Sequence, residues 1–419
     1  MDAHAPDPHS AVQPHRLTPM RGRDPHEKHR VSTPLELLFD LTFTVAFGVG
    51  ASQLAHMLAA GHVGAGITAF VFATFAICLA WINFTWFASA YDTDDWVFRL
   101  MTMVEMVGVL VLALGLPAFF ASVEAGRHVD NAVLVAGYVV MRIALVGQWL
   151  RAARQNPAGR SAALTYAVVV SVVQVGWIGT VFLPTPVPVT LGCWVLLALI
   201  ELAGPIVAER RCGGTPWHAH HIAERYGLLA IIALGEGVVG TVATLSAMIG
   251  ETGWSADVVL LAVAGTALTF GMWWVYFMVP AADVLHAHRE RSFWFGYLHM
   301  PVFGAIVATG AGLDFAALTI QGHSALGPVG TVLAVVIPLG VYIALVYVMY
   351  VLMLRAADAL HLVLIVLTAV VLAASVALAA AGVPMGVCLL VASLAPMVSV
   401  VGFEIIGHRH AAAALARST

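Results

Sequence analysis

The residues best suited to chemistry in this sequence are acids and bases set within apolar runs. Glu36 and Asp40 stand four apart in ELLFDLTF, so on a helix they share one face about one turn apart. Two carboxylates that close repel unless one holds a proton or a cation lies between them. The pair therefore points to a proton or cation site, or else to a capped, solvated helix start, because Ser32-Thr33-Pro34 precedes Glu36 in the pattern of a helix N-terminus. Glu105 and Arg142 each fall about two turns inside an apolar run, at depths where they can meet. A buried ion pair is the plain expectation for them, and a pair broken by a substrate the sharper one. Glu201 lies at similar depth with no obvious mate. Glu224 and Glu236 are 12 residues apart, roughly 18 Å along a helix axis and about 120° around it, so they cannot form one carboxylate pair. Glu224 is expected to pair near Arg225 or with Glu36, whereas Glu236, between Gly235 and Gly237, is the best candidate for a transported-proton site.

Other groups carry weaker signals. His299 would shuttle protons near neutral pH or serve as a hydrogen-bonded packing residue. His218, His220 and His221 beside Glu224 are metal-type ligands, but at a loop-to-helix junction they read as surface, and no metal or other cofactor is assigned. Gly235-Glu-Gly-Val-Val-Gly240 spells a dinucleotide fingerprint whose chemistry needs a preceding strand. Inside an apolar run its small residues are expected instead to let helices approach closely or the backbone loosen. Asp92, Asp94 and Asp95 would hold Mg²⁺ against a diphosphate in a prenyl-transfer enzyme, but the spacing is not that of such enzymes. The plainer expectation is a hydrated loop that pairs with Arg99 across one helical turn.

The elements that position these groups follow from composition. With 61% hydrophobic and 10% charged residues among 419 and a mean hydropathy of +0.92, the chain has more apolar surface than a soluble core can hide. The expected fold is an all-α integral membrane protein of about 12 transmembrane helices. Runs long enough to cross a bilayer lie at 35–59, 64–90, 97–121, 129–149, 161–183, 187–208, 222–248, 255–279, 293–312, 326–353, 358–382 and 384–407. With the N-terminus inside, 17 of the 19 basic residues fall on the cytoplasmic side, Arg127 alone falls opposite and Arg142 lies within a span. That bias predicts a multi-pass protein of the bacterial cytoplasmic membrane with both termini cytoplasmic. The net charge of -4 and the lack of a basic stripe set nucleic acid aside. The four cysteines are widely separated and suggest neither a disulfide framework nor a CxxC site.

A shift of 188 residues carries Glu36 to Glu224, Trp86 to Trp274 and Asp95 to Asp283. Two six-helix halves follow, related as a parallel repeat because six is even. The expected organisation is a disordered cytoplasmic tail at 1–34, a first repeat at 35–208, a cytoplasmic linker at 209–221, a second repeat at 222–407 and a cytoplasmic tail at 408–419.

Four stretches together resemble the bacterial low temperature requirement A family: Glu36-Leu-Leu-Phe-Asp40-Leu-Thr-Phe; Tyr91-Asp-Thr-Asp94-Asp95 followed by Arg99; His221-Ile-Ala-Glu224-Arg225-Tyr-Gly through Gly235-Glu236; and Trp273-Trp274-Val-Tyr-Phe with Tyr297-Leu-His299-Met-Pro301. The resemblance covers about 31–310 well and the last three helices weakly. Ala88–Tyr91 and Gly237 depart from the family's pattern. The resemblance implies a membrane protein; the family is named for a growth phenotype in the cold rather than for a reaction.

The expected function is a proton-coupled secondary transporter or permease of a small molecule, its polar cavity lined by Asp40, Glu105, Arg142, Glu224, Glu236 and His299. Two other classes compete with it. One is a membrane-embedded enzyme acting on a lipid or isoprenoid, which needs Asp92–Asp95 and His299 to converge. The other is a non-catalytic membrane protein supporting growth in the cold, in which buried charges are merely paired. Apart from the bilayer and a proton or small molecule, no partner is expected.

Overall fold

The computed structural model describes residues 17–27, 30–355 and 359–418. Among these, 12 helical segments are long and apolar enough to cross a membrane. Helices α1 (Pro34–Ala59), α2 (Val63–Tyr91), α3 (Trp96–Ala125), α4 (Ala132–Gln155), α5 (Arg160–Phe182) and α6 (Val187–Arg211) make the first six. Helices α7 (Ala219–Thr252) and α8 (Ala256–Tyr276) follow, then a short α9 (Ala281–Ala287) leads through a tight turn into α10 (Ser292–Ile320). Next come α11 (Gly327–Leu354) and α12 (Ala359–Ala380).

The last expected span, 384–407, is not one helix. It is divided into α13 (Met385–Ala392) and α14 (Leu394–Gly402), then a wide turn at Phe403–Gly407 and α15 (His408–Ser418). Pro396 lacks the N–H that would bond the Ala392 carbonyl, and this places the break at Ser393. Residues 408–418, expected as a tail, are therefore helical.

Solvation is inverted relative to a water-soluble protein. Leu114 is 75% exposed and Phe182 and Val175 are similarly bare, while Glu36, Asp40, Arg225 and His299 are each 0% exposed. Apolar side chains on this scale do not face water. A lipid surround reconciles both observations, because ionisable groups in a bilayer turn toward the bundle interior.

Helix starts are specified locally. Thr33 Oγ1 accepts from Glu36 N–H at 3.3 Å and Glu36 Oε2 accepts from Thr33 N–H at 2.8 Å, a reciprocal capping box with Pro34 in the first turn. Asp95 caps α3 by accepting from Phe98 N–H at 2.9 Å.

The described part of the expected tail is not disordered. Met20 is fully buried, and its N–H donates to Gln155 Oε1 at 2.7 Å. Thr18 N–H donates to Asp95 at 3.1 Å, and Arg23 N–H donates to the Ala90 carbonyl at 2.9 Å. Composition gave no hint of this, since the tethers are backbone donors captured by acceptors far along the chain. Residues 1–16, 28 and 29 lie outside the described residues.

Glycine sets the closest helix crossings. On α4, a Cβ at Gly137 would lie 2.4 Å from Leu112 N and 2.6 Å from the Gly108 carbonyl oxygen of α3. Both obstacles are backbone and cannot rotate away. Gly137→Val is therefore expected to push α3 and α4 apart, at a cost at or above the ~1–3 kcal/mol typical of overpacking. Gly50→Ala, where an added methyl meets nothing within 4 Å, is the neutral control. Thermal unfolding in detergent checks the pair, and equal melting temperatures for both variants would refute this packing.

Candidate functional site

The densest polar constellation lies where the start of α1 meets the start of α7. Arg225 of α7 donates to Asp40 through Nη2 at 2.5 Å and Nε at 3.2 Å and stands 3.1 Å from Glu36 Oε1 through Nη1. The two carboxylates predicted to need a cation between them share one guanidinium. Trp81 Nε1 donates to Asp40 at 2.7 Å, and the Trp81 ring lies 5.7 Å from the guanidinium, within cation–π range. His221 Nε2 is 3.2 Å from Glu36 Oε2. From the N-terminal segment, Arg30 reaches both Glu36 and Asp92 at 3.5 Å. Glu36 thus combines two predicted roles, helix cap and buried ion partner.

Counting charge makes this network more than a clasp. Three carboxylates (Glu36, Asp40, Asp92) face two guanidiniums (Arg30, Arg225), so one further positive charge or one carboxyl proton balances the cluster. Asp92 lies in the α2–α3 connection, where burial and then the Glu36 carboxylate push its carboxyl up to about 6 despite Arg30. That exceeds its ordinary 3.8. Between those two values the native state binds more protons than the unfolded chain, so stability falls as pH rises through this window and levels above it. The wild-type melting temperature is expected to drop between pH 4 and pH 6. Asp92→Asn should flatten that slope, and an unchanged slope in the variant would place the proton elsewhere.

His218 at the cap of α7 is held neutral by geometry. Its Nδ1 accepts from His221 N–H at 3.2 Å, and its Nε2 faces the Glu27 carbonyl at 2.9 Å. Burial lowers its pKa below 6.5.

The remaining acids separate. Asp94 forms a forked, exposed pair with Arg99 at 2.8 and 2.7 Å, as expected for that loop. Asp95 is engaged by Arg151 of α4. Burial raises its carboxyl, but Arg151 and the Phe98 and Thr18 N–H groups outweigh that and hold it at about 2. The expected Glu105–Arg142 pair is not formed: Arg142 binds Glu201 of α6, which also accepts from Asn83 at 3.0 Å. Glu105 instead accepts from Gln148 at 3.2 Å. Arg142 lies over the Tyr138 ring and turns toward α6, a choice that helix depth alone does not reveal. Glu224 does not meet Glu36; it accepts from Ser32 N–H at 3.4 Å and lines a cavity.

That cavity, about 760 Å³, opens on the face carrying the N-terminal segment. His26, His220 and His286 ring its mouth, and Tyr276 and Phe295 form its inner wall. Behind the wall, His299 Nδ1 donates to the Phe295 carbonyl at 2.6 Å and Nε2 accepts from Tyr276 Oη at 2.9 Å. His299 is thus a fully hydrogen-bonded imidazole one layer removed from the cavity. Among the described residues, no three His, Cys, Asp or Glu converge as metal ligands.

Glu236 is the exception to this pattern of partnered charge. It is 6% exposed, and no described residue hydrogen-bonds or ion-pairs with its carboxylate. Glycines make its niche: a Cβ at Gly48 of α1 would sit 3.3 Å from Glu236 Oε1, and one at Gly310 of α10 would sit 2.9 Å from Glu236 Cβ. One turn on, a Cβ at Gly240 would lie 2.7 Å from the Gly310 carbonyl oxygen. The small residues of the 235–240 stretch serve close helix approach, as the sequence suggested.

Sequence reasoning passed over Arg30, hidden in a tail-like segment, and Trp81, hidden among apolar residues. It also stopped the α10 span at 312, short of Asp314.

The sequence profile of the bacterial low temperature requirement A protein matches residues 31–396, which holds all of the network except Arg30, together with Glu236 and the cavity's inner wall. An uncharacterised protein of Rhizobium meliloti (strain 1021) is 28% identical over 294 residues, 67% of this chain and 68% of that relative. The buried network of α1 and α7 is built from the segments that carried the resemblance, and the chain belongs to the bacterial low temperature requirement A family.

Proposed function

We propose that this protein is a proton-coupled secondary transporter of a small solute, with both termini in the cytoplasm and two six-helix halves moving about the α1–α7–α10 interface. Glu236 carries the reading. An unpartnered carboxylate buried in an apolar helix interior is costly, and nothing in the packing repays that cost, so a protonation cycle gives it a reason to be there. The cavity supplies a solute entrance on the face where the arginines gather, the cytoplasmic face by the positive-inside rule. The repeat finds support in matching crossings: Gly108 and Gly137 join α3 to α4, and Gly312 meets the Ala334 backbone where α10 joins α11.

The enzyme reading needs Asp92, Asp94, Asp95 and His299 to face one substrate, yet each has a different partner. Closed pairs such as Arg142–Glu201 favour the scaffold reading, which leaves Glu236 without a role. The test is proton flux into proteoliposomes driven by a panel of candidate solutes and read by an interior pH dye, wild type beside Glu236→Gln.

A further inference from the structure

The polar positions of α1 recur every four residues: Glu36, Asp40, Thr44, then the gap at Gly48, then Ser52 and His56. Steps of four drift only about 40° each, so neighbouring stations stand one above the next. The 20 residues from Glu36 to His56 rise roughly 30 Å, the thickness of a bilayer's hydrocarbon core. A helix crossing lipid has no packing reason to carry such a stripe from end to end.

Each station has a feature to match. Glu36 and Asp40 belong to the buried network. Thr44 Oγ1 is buried with no hydrogen-bond partner among the described residues. At Gly48 the missing side chain admits the Glu236 carboxylate, 3.3 Å from where a Cβ would be. Ser52 accepts through its carbonyl from His56 Nδ1 at 2.7 Å, which leaves Nε2 as the free nitrogen of an exposed imidazole. On α10, Asp314 follows Gly310 by one turn and is half-buried, with no hydrogen-bond partner among the described residues. The charged group acting on Glu236 is Asp314, and the one acting on Asp314 is His56. The other helices at this level add no titratable group: α8 offers Thr269 against Gly237, and α11 offers the Ala334 backbone against Gly312.

We propose that Asp314 and His56 form a proton-exchange site on the face opposite the N-terminal segment, joined along the α1 stripe through Glu236 and Thr44 to the Glu36–His221 network. A proton arriving on His56 Nε2 passes to the Asp314 carboxylate and then to Glu236. From there it crosses by way of the Thr44 hydroxyl and intervening water to the cluster whose charge count leaves room for one proton. One proton enters and one leaves. The proposal deepens the proton-coupled reading above and rests on it for its purpose.

The test uses the full chain in oriented proteoliposomes and dicyclohexylcarbodiimide, which attacks protonated carboxyls in apolar surroundings. Labelling of Glu236 is mapped by mass spectrometry while the pH of one side is varied. In the wild type, labelling should track the pH on the Asp314 side. In Asp314→Asn that response should fall about tenfold or more, a cautious figure beside the ~100-fold that one positioned proton-transfer group typically contributes. Asp314→Glu should restore it, and His56→Gln, at an exposed position, should weaken it in the same direction. Wild-type labelling that ignores the pH on the Asp314 side, or an unaltered response in Asp314→Asn, overturns the proposal. Neither outcome depends on a transported solute: if no solute drives flux while labelling behaves as stated, the transporter reading fails and the path stands.

Discussion

Glu236→Gln is expected to reduce solute-driven proton flux by about a hundredfold or more, the scale set by removing one positioned proton-transfer group, while the protein remains folded. Glutamine keeps the shape that fits between Gly48 and Gly310 and loses only the ability to ionise. The substitution should leave thermal stability equal or slightly raised, because an amide costs less to bury without partners than a carboxylate that can charge. Flux and stability should therefore move independently, which separates a proton carrier from a structural acid. Glu236→Asp, which keeps the acid but draws it back by one methylene, should retain partial flux. Full flux in Glu236→Gln would remove Glu236 from the path and leave the unpartnered carboxylate unexplained.

Lipid solvation, the number of spans and the pairing of Glu36 with Asp40 were legible because they rest on local properties: run length, hydropathy and the four-residue helical repeat. What depended on which helices touch was not. Helix depth placed Glu105 level with Arg142, but the choice between Glu105 and Glu201 turns on the direction in which one guanidinium leaves α4. Arg30 was invisible as a network member because nothing in a Pro- and His-rich stretch says that its backbone donors are captured by Asp95, Gln155 and Ala90. Pro396 could have announced the broken final span, since a proline in a helix interior costs a backbone bond wherever it falls. Asp314 was lost to a boundary drawn by hydropathy alone, and the acid itself shortened the apparent run. Glu236 stood out by depth and by its glycine neighbours, and the structure places it, as those signals suggested, buried in a glycine-lined niche.

Arg225→Met is expected to be the most damaging single substitution in the protein. It leaves Glu36 and Asp40, both 0% exposed, one turn apart with no guanidinium between them. Breaking a buried ion pair from one side typically costs ~3–5 kcal/mol, and here one side chain serves two acids. Folded protein recovered after detergent extraction should fall sharply, measured by size-exclusion profile and melting temperature. Neutralising the acids as well, in Arg225→Met with Glu36→Gln and Asp40→Asn, should restore most of the stability, because the penalty belongs to the orphaned charges rather than to the lost attraction. The triple variant then separates the cluster's two roles. If the network only holds α1 against α7, the restored protein should transport as the wild type does. If the network is the terminus of a proton path, the protein should be stable and silent, because Glu36 and Asp40 can no longer exchange a proton. Stability in Arg225→Met equal to that of the wild type would overturn the charge balance on which both expectations stand.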